Sequence, residues 1–236
     1  MTDTLLHHTP ENYTDDWRMT PHPLALDFVP TAIVNLFPRI CPEKFPELDN
    51  YLRSRGISER TYKKFDVRAS ERGELVFLFT NLLNNVLGVV FRNISDKKIR
   101  GLKLELLELQ GIQLPKKAKR GAWFGLHLID ITLPLLIVES ETCVMKIHEW
   151  GHKNVVCPGG MSATKQQMKA LYNKRLYVGF DSDKAGKEGM QLFLKNVNKD
   201  KEVWIVDWSL EGAKDPGDLT NSEDFYDCMN NAEKVR

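Results

Sequence analysis

The chain has 236 residues, 42% of them apolar and 28% charged, with a net charge of +1, so it can bury one or two ordinary cores. No apolar run is long enough to cross a membrane and the polar start Met1-Thr2-Asp3-Thr4 carries no secretory signal, which excludes a membrane protein and places the chain in the cytoplasm. A net charge this small does not by itself advertise a nucleic-acid binder. Residues 1–45 read as an irregular lead, and the His7-His8 pair within it as a solvated terminus. The four cysteines, Cys41, Cys143, Cys157 and Cys228, have no Cys-x-x-Cys spacing, so neither zinc nor a disulfide framework is expected.

Residues 46–128 read as a small mixed α+β subdomain. Its first landmark is a helix that ends at Gly56, followed by a second helix with Ser58 as N-cap and Glu59 at its positive end. Two strand-like runs, 74–79 and 86–92, flank the polar turn Asn84-Asn85 and predict a hairpin. Next comes a basic strip: Arg92, Lys97, Lys98, Arg100, Lys103, Lys116, Lys117, Lys119 and Arg120, against Asp96, Glu105 and Glu108. Such a strip either neutralises nucleic-acid phosphates or simply solubilises a loop. Trp123 and Phe124 behind it could stack on bases, although core packing is the commoner fate of such a pair.

From residue 129 to 222 short apolar runs alternate with helical stretches. Strands are predicted at 135–138, 154–157, 176–180 and 203–206, and helices at 142–150, 163–172 and 185–196. This βαβαβαβ order implies an α/β fold with a mainly parallel sheet flanked by helices. Residues 223–236 are left as a tail. Three of the strands end in acids: Glu139 after the first, Asp181 and Asp183 after the third, Asp215 and Asp218 after the fourth. Ligands of open parallel sheets gather at the carboxyl ends of the strands, so these acids can converge. Two carboxylates aimed at one spot repel unless a cation sits between them, and an all-oxygen set suits Mg²⁺ or Mn²⁺. The bland reading of an isolated Asp-x-Asp is a helix N-cap. Pro158-Gly159-Gly160 allows either close approach of a phosphate or merely a tight turn.

The residues from Leu133 to Leu219 resemble a TOPRIM domain. Val178-Gly179-Phe180-Asp181-Ser182-Asp183-Lys184-Ala185-Gly186, followed by Lys214-Asp215-Pro216-Gly217-Asp218, is most similar to the DnaG-type primases. The glutamate stands in Val138-Glu139-Ser140 where that family usually has Val-Glu-Gly. The final loop has Asp-x-x-Asp in place of Asp-x-Asp, which leaves open whether Asp215 or Asp218 binds metal. Tyr51 to Phe65 looks like the segment that opens the primase polymerase core, and the hairpin looks like the one whose second strand ends in an arginine, here Arg92.

The resemblance implies a primase core that makes short RNA primers on single-stranded DNA from ribonucleoside triphosphates, by two-metal nucleotidyl transfer. Glu139, Asp181 and Asp183 would be catalytic and hold Mg²⁺ or Mn²⁺ with Asp215 or Asp218, unless Glu139 serves as general base. Arg92 would contact template or nucleotide, the basic strip would grip the template, and Lys184 is either a triphosphate contact or a surface lysine. The family's zinc module and helicase-binding domain have no counterpart here, so a helicase or a separate zinc-module protein is the expected partner. The chain is then a compact core of the kind that phages and mobile elements encode, or a piece of a longer one. Two other readings use the same features: a noncatalytic module that binds DNA or a helicase, and a TOPRIM nuclease.

Overall fold

The computed structural model describes residues 29, 31–96, 98–101, 122–160 and 163–236. Two sheets form the frame. The first is antiparallel, in the order β1 (Arg68–Ala69), β2 (Leu75–Thr80), β3 (Val86–Arg92), β4 (Ile99–Gly101). The expected hairpin is β2 and β3, closed by a turn in which Asn84 takes a left-handed conformation (φ 62°) and the Asn81 side chain accepts from the amides of Leu83 and Asn85. Asparagine tolerates that region better than other non-glycine residues. Ahead of the sheet lie α1 (Thr31–Val34), α2 (Pro46–Ser54) and α3 (Glu59–Lys64). Gly56 (φ 74°) makes the left-handed exit after α2, and the Ser58 hydroxyl caps α3 by accepting from the Thr61 amide.

The lead is not wholly irregular. Val29, Ile33 and Val34 are buried against Val76, Leu78, Val89 and Phe91 on the outer face of the hairpin, because every β2 side chain is apolar or buried and both faces of the strand need cover. The inner face, Leu75, Phe77 and Phe79, packs toward the second sheet.

The second sheet runs β6 (Val155–Val156), β5 (Leu135–Ile137), β7 (Arg175–Val178), β8 (Glu202–Ile205), β9 (Glu233–Lys234), parallel except for the last pair. Helices α4 (Glu141–Glu149), α5 (Lys165–Lys169) and α6 (Lys184–Asn196) connect the strands in the predicted alternation. The expected tail is a correction. Residues 222–230 form helix α7 and β9 adds antiparallel to the edge of β8. Asn221 caps α7, and Phe225 and Cys228 are buried, with Phe225 stacked on Trp208 at 6.1 Å. A two-residue strand and a helix with only two buried positions leave little periodicity to read. Among the described residues no helix is long and apolar enough to cross a membrane.

Trp208 ties this end of the molecule to the site. It is fully buried, and its indole donates to the Gly179 carbonyl at 3.0 Å. A Cβ on Gly179 would lie 2.3 Å from the ring, so glycine alone lets strand and indole approach this closely. Trp208→Ala should cost about 3–5 kcal/mol in urea denaturation; a change under about 1 kcal/mol would show that the cavity collapses without consequence.

Candidate metal and nucleotide site

Four of the five acids predicted at the three strand ends, Glu139, Asp181, Asp215 and Asp218, line one cleft, and Asp183 stands outside its lining. Glu139 follows β5, and its Oε1 accepts from the backbone amide of Asp181 at 3.1 Å, which joins the first two acidic segments directly. Asp183 is the N-cap of α6 and accepts from the Gly186 amide at 2.9 Å. The bland reading of the Asp-x-Asp pair is therefore true of its second member. Asp181 is free of that duty. Glu139, Asp181, Asp215 and Asp218 line one cleft of about 580 Å³ together with Arg55, Arg92 and Lys214.

The electrostatics follow from crowding. Burial, then the charge of Asp181, pushes the Glu139 carboxyl up to about 7. Burial and the charge of Asp215 raise Asp181 as well. Asp183 moves the other way, held down by the Gly186 amide and then by Lys214. Two half-buried carboxyls that resist ionisation beside further acids fit a hard divalent cation. Glu139, Asp181 and Asp183 would hold it, with Asp215 or Asp218 completing the set. Among the described residues, however, no three acids stand close enough to chelate a single ion as they are.

The raised Glu139 carboxyl makes stability depend on pH. Its folded value lies above the ordinary 4.5, so unfolding releases a proton between about pH 4.5 and 7, and stability falls as pH rises through that window. In EDTA, Glu139→Gln should remove this fall, and its melting temperature should gain on the wild type from pH 5 to 8. Parallel pH profiles for the two proteins would refute the assignment.

The acidic loop is fixed from below. Lys146 on α4 donates to the carbonyls of Gly217 and Leu219 at 2.7 and 2.6 Å. Asp215 accepts from the Gly217 amide at 2.5 Å, and Asp218 accepts from the Lys214 amide at 3.2 Å. Neither Lys146 nor Lys214 was singled out from the sequence, although Lys214 stands inside the quoted acidic stretch. The Lys214 ammonium lies 3.3 Å from Asp181 and 2.9 Å from Asp183, and hydrogen bonding to Asp183 first, then Asp181, raises its pKa. Lys184, the lysine chosen from sequence, is exposed at the start of α6 and does not line the cleft.

The basic residues divide. Arg92 reaches the cleft: its side chain is only 13% exposed, its Nη1 lies 3.9 Å from Glu141, and its Nε is buried with no hydrogen-bond partner. Arg100 is engaged elsewhere. It pairs with the buried Glu74 and lies over the Phe91 ring at 4.0 Å, so its charge is already matched within the sheet. Lys98 pairs with Asp96 at the surface. Lys97, Lys103, Lys116, Lys117, Lys119 and Arg120 lie outside the described residues. Trp123 and Phe124 are core residues. Both are fully buried, the indole donates to the Gln167 carbonyl, and Phe124 stacks on Phe65. They are not available to bases. Gly159 is a tight turn (φ 67°) under the Phe79 ring, where a Cβ would lie 2.2 Å from it, and it also lines the cleft.

Residues 136–220 match the family model described as Toprim-like, and the parallel sheet with its flanking helices is the Toprim fold. The DNA primase of Rickettsia typhi is 26% identical over 227 residues, a match that covers 77% of this chain and 37% of that protein. The primase of Aquifex aeolicus, solved with its zinc-binding and RNA polymerase domains, superposes with a TM-score of 0.69 at 20% identity, over 82% of this chain and 58% of that one. A DNA primase domain from Pseudomonas aeruginosa gives 0.67 at 16% identity, over 87% and 78% of the two chains. The chain thus spans little more than a third of the length of the curated relatives it matches.

Proposed function

We propose that this chain, a homologue of DnaG-type DNA primases with their Toprim domain, is a primase catalytic core that synthesises short RNA primers on single-stranded DNA. The observation that carries the reading is the convergence of Glu139, Asp181, Asp215 and Asp218 on one cleft that Arg55 and Arg92 also line. Acids and guanidinium groups gathered in one cleft suit a nucleoside triphosphate with its divalent ions. Bound at these acids, Mg²⁺ or Mn²⁺ would supply the Lewis acidity that activates a 3′-hydroxyl and offsets the charge of departing pyrophosphate.

The remaining roles belong to the chain. Glu139, Asp181 and Asp183 position the ions, and Asp215 or Asp218 completes the set. Arg92 meets an anionic phosphate from the lining of the cleft, and the Asp183 cap fixes the start of α6 beside the acids. Glu139, poised near neutrality, also suits a proton acceptor at its carboxylate. Template contacts fall to the basic residues that follow Arg92, apart from Arg100, which is paired with Glu74, and a helicase or a zinc-module protein is the proposed partner.

The test is incorporation of labelled ribonucleotides on mixed-sequence single-stranded DNA with Mg²⁺ or Mn²⁺. Short oligoribonucleotides that depend on Asp181 support the reading. Cleavage of the DNA without ribonucleotide use would replace it with a Toprim nuclease. A second reading, a noncatalytic primase-derived binding module, is favoured by the Lys214 ammonium that already neutralises Asp181 and Asp183. It predicts salt-sensitive DNA binding without synthesis, unaffected by Asp181→Ala.

A further inference from the structure

We propose that Lys214 is a built-in counterion of the Asp181–Asp183 pair, which a divalent ion must displace and which then turns to the polyphosphate, so that ion and nucleotide bind cooperatively. The proposal rests on the metal-binding part of the reading above. Its basis is the position of the ammonium, in contact with one oxygen of each carboxylate at 3.3 and 2.9 Å. An ion shared by the two acids needs the Asp183 oxygen that Lys214 holds, because the other accepts from the Gly186 amide, together with an Asp181 oxygen, at about 2.0–2.1 Å for Mg²⁺. Two cations forced within about 4 Å of each other repel strongly enough, at the effective dielectric of a protein surface, to change affinity by roughly tenfold or more.

The lysine is built to move as a side chain alone. Its backbone is held on both sides, because its carbonyl accepts from the Ser182 amide at 2.8 Å and its amide donates to Asp218. These bonds fix the Cα beside the acids. The side chain is 51% exposed, so no packing resists a change of rotamer. Leaving the acids, it stays in a cleft whose wall already carries Arg55 and Arg92. An entering anion stabilises a third cation beside those two, and a triphosphate is the anion that the proposed reaction brings. The acids thus prefer an ion that arrives with a nucleotide over the bare ion.

Mn²⁺ binding, followed by electron paramagnetic resonance of the free ion, tests this with no need for turnover. In the absence of nucleotide, Lys214→Met should bind Mn²⁺ about tenfold tighter than the wild type, and Lys214→Gln should do the same. Lys214→Arg keeps the charge and should stay near the wild type. Lys195→Met, which removes one exposed lysine elsewhere on α6, controls for net charge. A non-hydrolysable ribonucleoside triphosphate should tighten Mn²⁺ binding to the wild type more than to Lys214→Met. Melting curves in EDTA establish that each variant is folded. Mn²⁺ binding that is lost in Asp181→Ala yet unaltered by Lys214→Met and Lys214→Gln overturns the lysine's role alone. Failure of Mn²⁺ to bind any of the proteins overturns the metal reading with it.

Discussion

Asp181→Ala should abolish primer synthesis, by about 10³-fold or more, while leaving the melting temperature in EDTA unchanged or raised. The rate term follows from the role proposed for Asp181 as a direct ion ligand, whose loss is an effect of several kcal/mol at roughly tenfold per 1.4 kcal/mol. The stability term has the opposite sign to that of an ordinary loop aspartate. Burial and Asp215 both disfavour the Asp181 carboxylate, so its removal relieves repulsion. Lys214 keeps its closer partner, Asp183. The hydrogen bond to Glu139 comes from the Asp181 backbone amide and survives the substitution. Asp183→Ala is a less clean probe, since it also removes the cap of α6, worth about 1 kcal/mol. Full synthesis by folded Asp181→Ala would end the primase reading.

Gly186→Ala should reduce synthesis by about 10²-fold without touching a single functional group. A Cβ at this position would lie 2.0 Å from the carbonyl oxygen of Asp181 and 2.8 Å from its amide nitrogen. These are backbone atoms and cannot swing aside, so the segment that carries Asp181 must shift. Displacement of a reacting group by about 1 Å is worth roughly 10²-fold in rate. Stability reports the same conflict. At an open helical position alanine gains about 1 kcal/mol over glycine. Overpacking of a closed one costs about 1–3 kcal/mol, so the net change here should be destabilising. Thermal melts and primer assays on one preparation check both, and a stabilised, fully active Gly186→Ala would show that the loop yields freely.

What could be read from the sequence was local. Alternating strands and helices, the acids at strand ends, the exit at Gly56, the Ser58 cap and the hairpin each depend on a few neighbouring residues whose periodicity or conformational preference is strong. Pairings made by folding could not be read. The basic strip treats Arg92 and Arg100 alike, yet they stand in different rows of the sheet, and only Arg92 reaches the cleft while Arg100 meets Glu74. Lys184 sits next to Asp183 in the chain, but Lys214 reaches the same carboxylate from a loop thirty-one positions away from that aspartate. Proximity in sequence pointed to Lys184, whereas Lys214 is the lysine that lines the cleft. Trp123 and Phe124 left two fates open, and burial decided them. The final helix and strand were missed because each gains its order from Trp208 and β8 and not from its own pattern.

The short segment at 122–124 has a consequence for how the molecule comes apart. Trp123 exchanges backbone hydrogen bonds with Thr80 on one sheet, and Phe124 exchanges them with Cys157 on the other. One apolar cluster runs from Ile40 through Phe124 to Cys228. A boundary drawn near residue 128 therefore divides the sequence but not the energetics. Each half, cut there, would present a raw hydrophobic face and an unpaired stretch of main chain, so the two sheets gain and lose their order together as a single cooperative unit. The cleft inherits that cooperativity, since Arg55 and Arg92 come to its lining from one half of the chain and the acids from the other.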